Sequence, residues 1–159
     1  MKSNTPQEQS AVSPLKAHIG FWMRLVSNQV SHSFARKLEA TGVTVAEWVV
    51  LREMSGGEAT TSPSTVAELT GLSRGAVSKL IERLLRKGYV ARKDSSGDRR
   101  RQEIRLTASA VALVPRLAQL ADENDEAFFG VISREERHAL RTILIRIADL
   151  NHFSRPPIE

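Results

Sequence analysis

Residues 73–107 read SRGAVSKLIERLLRKGYVARKDSSGDRRRQEIRLT. Val77, Leu80, Ile81, Leu84 and Leu85 recur at helix spacing, which leaves Arg74, Ser78, Lys79, Glu82, Arg83 and Arg86 on the other face. Ser73 stands where a helix N-cap belongs and Gly88 where a C-terminal stop belongs. Tyr89, Val90 and Ala91 then begin a strand, Ser95-Ser96-Gly97 is turn chemistry, and Ile104 and Leu106 alternate with Glu103 and Arg105 on the way back. The stretch is therefore a helix followed by a basic hairpin. Its Lys and Arg residues are 74, 79, 83, 86, 87, 92, 93, 99, 100, 101 and 105 and its acids 82, 94, 98 and 103, a net of +7 in a chain whose total is +5. All the rest of the chain thus carries −2. A near-neutral body with one basic element is the electrostatic footprint of a nucleic-acid binder.

Upstream, Thr44-Val45-Ala46-Glu47 is a capping box that opens a helix carrying Trp48, Val49, Leu51, Arg52 and Met54. Thr65-Val66-Ala67-Glu68 repeats that pattern and predicts a short helix closed at Gly71. Short helix, three-residue turn, basic helix and hairpin make a winged helix-turn-helix over residues 43–106. Before it, Pro14 suits a helix start, and Leu15, Ile19, Trp22, Val26, Val30, Phe34 and Leu38 follow at helix spacing as far as Gly42. Phe21, Met23 and Leu25 leave this helix apolar most of the way round near its start, the mark of an element covered on two sides. After it, Thr107 caps a helix that Pro115 is expected to bend, and Ser133 to Glu136 opens a last helix with Leu140, Ile143, Leu144, Ile147 and Leu150. The expected organisation is a mobile tail at 1–13, a helical dimerisation region at 14–42 and 107–152, the DNA-binding domain at 43–106, and a tail at 153–159. The fold class is mostly α with a small β-wing.

The 159 residues contain no cysteine, which excludes disulfides, thiolate metal sites and thiol redox switches. No apolar run approaches the roughly 18 residues of a membrane span. The polar start lacks an apolar signal region, so a cytoplasmic protein is expected. An enzyme using His18 or His32 as base is the competing class. No metal-ligand spacing, phosphate loop or nucleophile motif supports it, and no cofactor is expected. An architectural DNA binder without an effector is the other alternative.

Three stretches together resemble the MarR family of bacterial transcription regulators: Thr44 to Leu51, Val66 to Val90, and Asp98-Arg99-Arg100 followed by Ile104 to Thr107. The chain departs from the family's usual wing in having Ser95 after Asp94, and it lacks the cysteine of the peroxide-sensing branch. The resemblance implies a homodimer on pseudo-palindromic double-stranded DNA, acting as a repressor, with a small aromatic or phenolic acid as effector. On the residues themselves, Gly75 and Ala76 are small enough to let the helix approach a duplex. Ser73, Arg74, Ser78 and Lys79 are placed to reach bases or phosphates, and Arg83 suits a phosphate. Ser64 and Thr65, at a helix N-terminus, suit a phosphate oxygen. Of Arg99, Arg100 and Arg101, one is expected in the minor groove and another paired with Asp98. His18, Phe21, Trp22, Trp48 and Arg52 are the candidate effector residues, Arg52 as the partner of a carboxylate. Trp48 is otherwise expected in the core.

Overall fold

The computed structural model describes residues 12–56, 60–93 and 103–153. A short 3-10 helix, Leu15–Ala17, precedes α1 (Ile19–Glu39); then come α2 (Val45–Gly56), β1 (Thr60–Thr61), α3 (Pro63–Thr70), α4 (Arg74–Arg86), β2 (Val90–Lys93), β3 (Glu103–Leu106), α5 (Ala108–Phe129) and α6 (Arg134–Leu150). The fold is mostly helical with one small antiparallel sheet. The turn at 95–97 and the cationic run 99–101 lie outside the described residues, as do residues 1–11 and 154–159.

Local chemistry explains most of the boundaries. Thr44 and Glu47 close the expected capping box on α2: the Thr44 amide donates to Glu47 Oε2 at 2.8 Å and the Glu47 amide to Thr44 Oγ1 at 3.3 Å. Ser133 and Glu136 do the same for α6, and the Ser73 and Thr107 hydroxyls accept from Ala76 and Ala110. Gly88, at φ +70°, ends α4 in a Schellman turn, its amide donating to Leu85 O and that of Tyr89 to Leu84 O. The left-handed conformation would cost any residue with a Cβ roughly 1 kcal/mol or more.

Three local expectations are corrected. The N-terminal helix does not run unbroken from Pro14, because His18 is extended (φ −86°, ψ 127°) and separates the 3-10 turn from α1. The Trp22 indole N–H donates to Lys16 O at 2.9 Å across that break and holds the turn against α1. The short helix does not start at Thr65. Ser62 is its N-cap, accepting from the Thr65 amide, and Pro63 takes the first helical position, where its missing N–H costs nothing. The wing sheet has three strands rather than two, in the order β1-β3-β2. Thr60 and Thr61 pair with Arg105 and Ile104 on the free edge of β3, while Val90 to Lys93 pair with Leu106 to Glu103 on the other. Pro115 is accommodated within α5, which runs from Ala108 to Phe129 as one helix.

The core joins the end of α1 with α2, α3, α4, the sheet and the first half of α5. Leu38, Val50, Leu51, Val66, Leu80, Leu84, Ile104 and Leu117 are all buried there. Outside that core the molecule is thinly covered. Leu38 is the one buried residue of α1, and no residue of α6 is buried. No helix among the described residues is long and apolar enough to cross a membrane.

Candidate nucleic-acid interface

α4 is held by a buried stripe of Val77, Leu80, Ile81 and Leu84, with Leu85 half-buried beside it. The stripe fixes which face turns outward, and Arg74, Ser78, Lys79, Glu82, Arg83 and Arg86 are all exposed. α3 lies against α4 across the turn Gly71-Leu72-Ser73. Gly71, at φ +68°, reverses the chain there, and its amide donates to Ala67 O at 2.8 Å. A cleft of about 430 Å³ between the two helices brings together Ser64, Arg74 and Ser78, with Glu68 on its wall. Thr65 is exposed in the first turn of α3, its hydroxyl 3.0 Å from Ser62 Oγ. Ser73 is exposed and Ala76 half-buried.

Gly75 is informative because the fold does not require it. A Cβ built there meets nothing within 4 Å, and its φ is not positive. Gly75 is the second residue of α4, in its first turn, where the backbone amides have no partner within the helix. No contact among the described residues therefore demands a glycine at this position.

The base of α4 is clamped by residues that the sequence pattern had already accounted for otherwise. Glu47 is fully buried, yet it accepts from Lys87 Nζ at 2.8 and 2.7 Å and lies 3.6 Å from Arg83 Nε. Lys87 also donates to Gly42 O at 2.6 Å. One ammonium thus ties the end of α4 to the start of α2 and to the turn after α1. Arg83, expected to meet phosphate, shares this carboxylate while 44% of its side chain stays exposed. Thr107 secures the same end from the other side, its hydroxyl donating to Gly88 O at 2.6 Å and its amide to Tyr89 O at 3.0 Å.

The candidate effector residues are not brought together. His18 is exposed in the break before α1, Phe21 is half-buried edge-on to Trp22, and Trp22 is 47% exposed. Arg52 is exposed one turn beyond Trp48. Trp48 is half-buried against the core and meets Phe34 edge to face, the ring centroids 6.4 Å apart. Those two rings form one wall of a cavity of about 550 Å³ between α1, α2 and α5, which His32, Asn124 and Asp125 also line. Asn124 carried a legible signal: a polar residue on the stripe Leu117, Leu120, Asn124. His32 drew notice only as a candidate base of the competing enzyme class, and Asp125 carried no signal.

Comparison with known proteins agrees with this geometry. The MarR family model matches residues 41–101, which hold α2, β1, α3, α4 and β2. The chain is 28% identical over 134 residues to a transcriptional regulatory protein for the hcr operon of Thauera aromatica, covering 84% of this chain and 80% of that protein. Among solved structures, it superposes on BpsR of Bordetella bronchiseptica, whose DNA binding is regulated by 6-hydroxynicotinic acid, with a TM-score of 0.73 and 24% identity over 87% of this chain and 99% of that one. It superposes on an E. coli MarR variant complexed with operator DNA with a TM-score of 0.70 and 22% identity over 85% and 99% of the two chains. With its helix-turn-helix and three-stranded sheet, and with the MarR model matching residues 41–101, the chain is a DNA-binding transcriptional regulator of MarR type.

Proposed function

We propose that the protein is a homodimeric repressor that places α4 in the major groove of each half of a pseudo-palindromic operator and leaves it when a small molecule occupies the cavity between α1, α2 and α5. The observation that carries the DNA reading is the exposed face of α4, on which Arg74, Ser78 and Lys79 surround a glycine that the fold does not need. Ser73 opens that helix and Ala76 lies on the shoulder of the same turn. Ser64 and Thr65, at the N-terminus of α3, meet a phosphate, and Arg83 meets another from the far end of α4. Arg99, Arg100 and Arg101 enter the proposal on sequence alone, as minor-groove and backbone contacts.

The dimer is supported by α1 and α6. Trp22, Met23, Leu25 and Val26 on α1 and Ile143, Leu144 and Ile147 on α6 are between 40 and 47% exposed, an apolar surface that a second copy of the chain would cover. Residues 14–42 and 107–152 would then form the dimerisation region and 43–106 the DNA-binding domain. The effector is supported by the size of the cavity, which is within the range of small-molecule sites, and by the regulation of BpsR by 6-hydroxynicotinic acid.

Two substitutions test the DNA reading. Arg74→Ala is expected to weaken operator binding more than binding to random duplex, because a guanidinium that reads a base contributes to discrimination. Gly75→Ala is expected to leave the free protein at least as stable as the parent while lowering operator affinity. Thermal melts and titrations of labelled duplex read both. A Gly75→Ala protein that is at least as stable and binds its operator as tightly as the parent contradicts the docking of α4.

A further inference from the structure

We infer that Glu47, buried in α2, is a positioning residue for DNA binding: it holds the Arg83 guanidinium of α4 by its Nε, so that the two terminal nitrogens face a phosphate. The inference rests on the proposal that α4 docks in the major groove with Arg83 at the DNA backbone.

The carboxylate is fixed by partners other than Arg83. Glu47 is fully buried. Its Oε2 accepts from the Thr44 amide at 2.8 Å and from Lys87 Nζ at 2.7 Å, and its Oε1 accepts from the same ammonium at 2.8 Å. Lys87 Nζ also donates to Gly42 O at 2.6 Å, so three acceptors surround its three donors. Lys87 thus has no donor left for DNA, although it belongs to the basic stretch. Arg83 is held more loosely. Its Nε lies 3.6 Å from Oε1, beyond hydrogen-bond length, and 44% of its side chain is exposed.

The charges divide the same way. Two cations share one carboxylate, and Lys87 is the nearer, which leaves Arg83 as the surplus positive charge of the trio. Arg83 stands one turn beyond Lys79 on the outward face of α4. Among the described residues it is the one cation of that face that meets a carboxylate. A freely rotating arginine gives up rotamer freedom when it binds a phosphate. A guanidinium anchored at Nε to a rigid, buried carboxylate has already given up part of it. Its Nη1 and Nη2 remain as a fork for two phosphate oxygens.

The test is a double-mutant cycle in the full-length protein: parent, Glu47→Gln, Arg83→Met and the two combined. The probes are a fluorescein-labelled duplex of the DNA upstream of the protein's own reading frame and one of scrambled sequence. Anisotropy titrations at several salt concentrations read affinity and its salt dependence. Arg83→Met is expected to weaken binding to both duplexes and to lower the slope of log affinity against log salt by about one, as the loss of a phosphate contact does. Glu47→Gln keeps the cap of α2 and removes the charge that holds Arg83. It is expected to be about fivefold more damaging to binding with arginine at position 83 than with methionine there. Removal of a negative charge and any loosening of α2 act in both backgrounds and cancel. Arg83→Lys keeps the charge but has no Nε, so it is expected to lose about fivefold in affinity while the salt slope stays that of the parent. Equal effects of Glu47→Gln in the two backgrounds overturn the inference and leave Arg83 as a phosphate contact. If Glu47→Gln does not fold, Arg83→Lys decides, and parental affinity in that variant overturns the inference. An Arg83→Met protein that binds both duplexes as the parent does sinks the placing of Arg83 in the docking proposal, and this inference with it.

Discussion

Glu47 shows how one residue can do two jobs of which only one is local. Its carboxylate caps α2 through the Thr44 amide and also receives the Lys87 ammonium, all while fully buried. The two partners are not equivalent. Lys87 is one-third exposed and can rehydrate if the carboxylate is lost, whereas Glu47 cannot rehydrate if the ammonium is lost. Lys87→Met is therefore expected to destabilise the protein by about 2 kcal/mol, with Arg83 supplying partial compensation. Glu47→Gln is expected to cost less, because glutamine also serves at this position of a capping box. Urea unfolding of the two variants measures the order. If Glu47→Gln proves the more costly, the clamp is not governed by the stranded buried charge.

At the scale of the element, the corner between α5 and α6 depends on an exposed pair. Arg137 donates to Glu126 Oε2 at 2.8 Å and to Phe129 O at 2.9 Å, so it bridges the last turn of α5 to the first turns of α6. The hydrogen bond from Arg137, and then its positive charge, holds the Glu126 carboxyl below the usual carboxylate range. A carboxyl depressed in the folded state contributes stability that is present above its unfolded pKa and lost as pH falls through the folded value. Glu126→Gln is accordingly expected to melt below the parent at neutral pH, with the difference closing on the acid side of about pH 4. Melting curves between pH 3 and 7 check this. A gap that persists unchanged at pH 3 assigns the effect to shape rather than charge.

For the molecule as a whole, the question is what covers α6. Its capping box and its helix period make it a stable element, yet it buries none of its residues in this chain. Ile143 and Ile147, at 46% and 40% exposure, lie on one face of α6, one turn apart. If a second copy covers them, Ile143→Glu with Ile147→Glu is expected to yield a monomer by sedimentation. Each monomer would meet one half-site, so operator affinity should fall by about a hundredfold or more, the loss of linked binding. A doubly substituted protein that remains dimeric places the two-fold interface elsewhere. The same experiment separates a dimer needed for DNA binding from one that merely buries apolar surface.

Much of this architecture was legible because it is local. The caps at Thr44, Ser73, Thr107 and Ser133 and the stripe of α4 are set by residues three or four apart, and period and hydrogen-bonding groups express them directly. The start of α3 was misread because two local signals competed. Thr65 and Glu68 matched the capping pattern, but Pro63 pre-sets the first helical position and Ser62 is a better-placed cap. β1 was missed because two threonines have no period to read; they become a strand through the free edge of β3, more than forty residues along the chain. The cavity was missed for the same reason at larger separation. Asn124 reaches Val30 O across 94 residues, and Trp48 faces Phe34 rather than Trp22. Sequence alone therefore determined α4 and its outward basic face, since an amphipathic helix carries its orientation in its own period. Which carboxylate is buried under Lys87, which strand completes the wing and which side chains enclose the cavity were decided only when α1, α2 and α5 packed together, because contacts between distant segments leave no periodic trace in the chain.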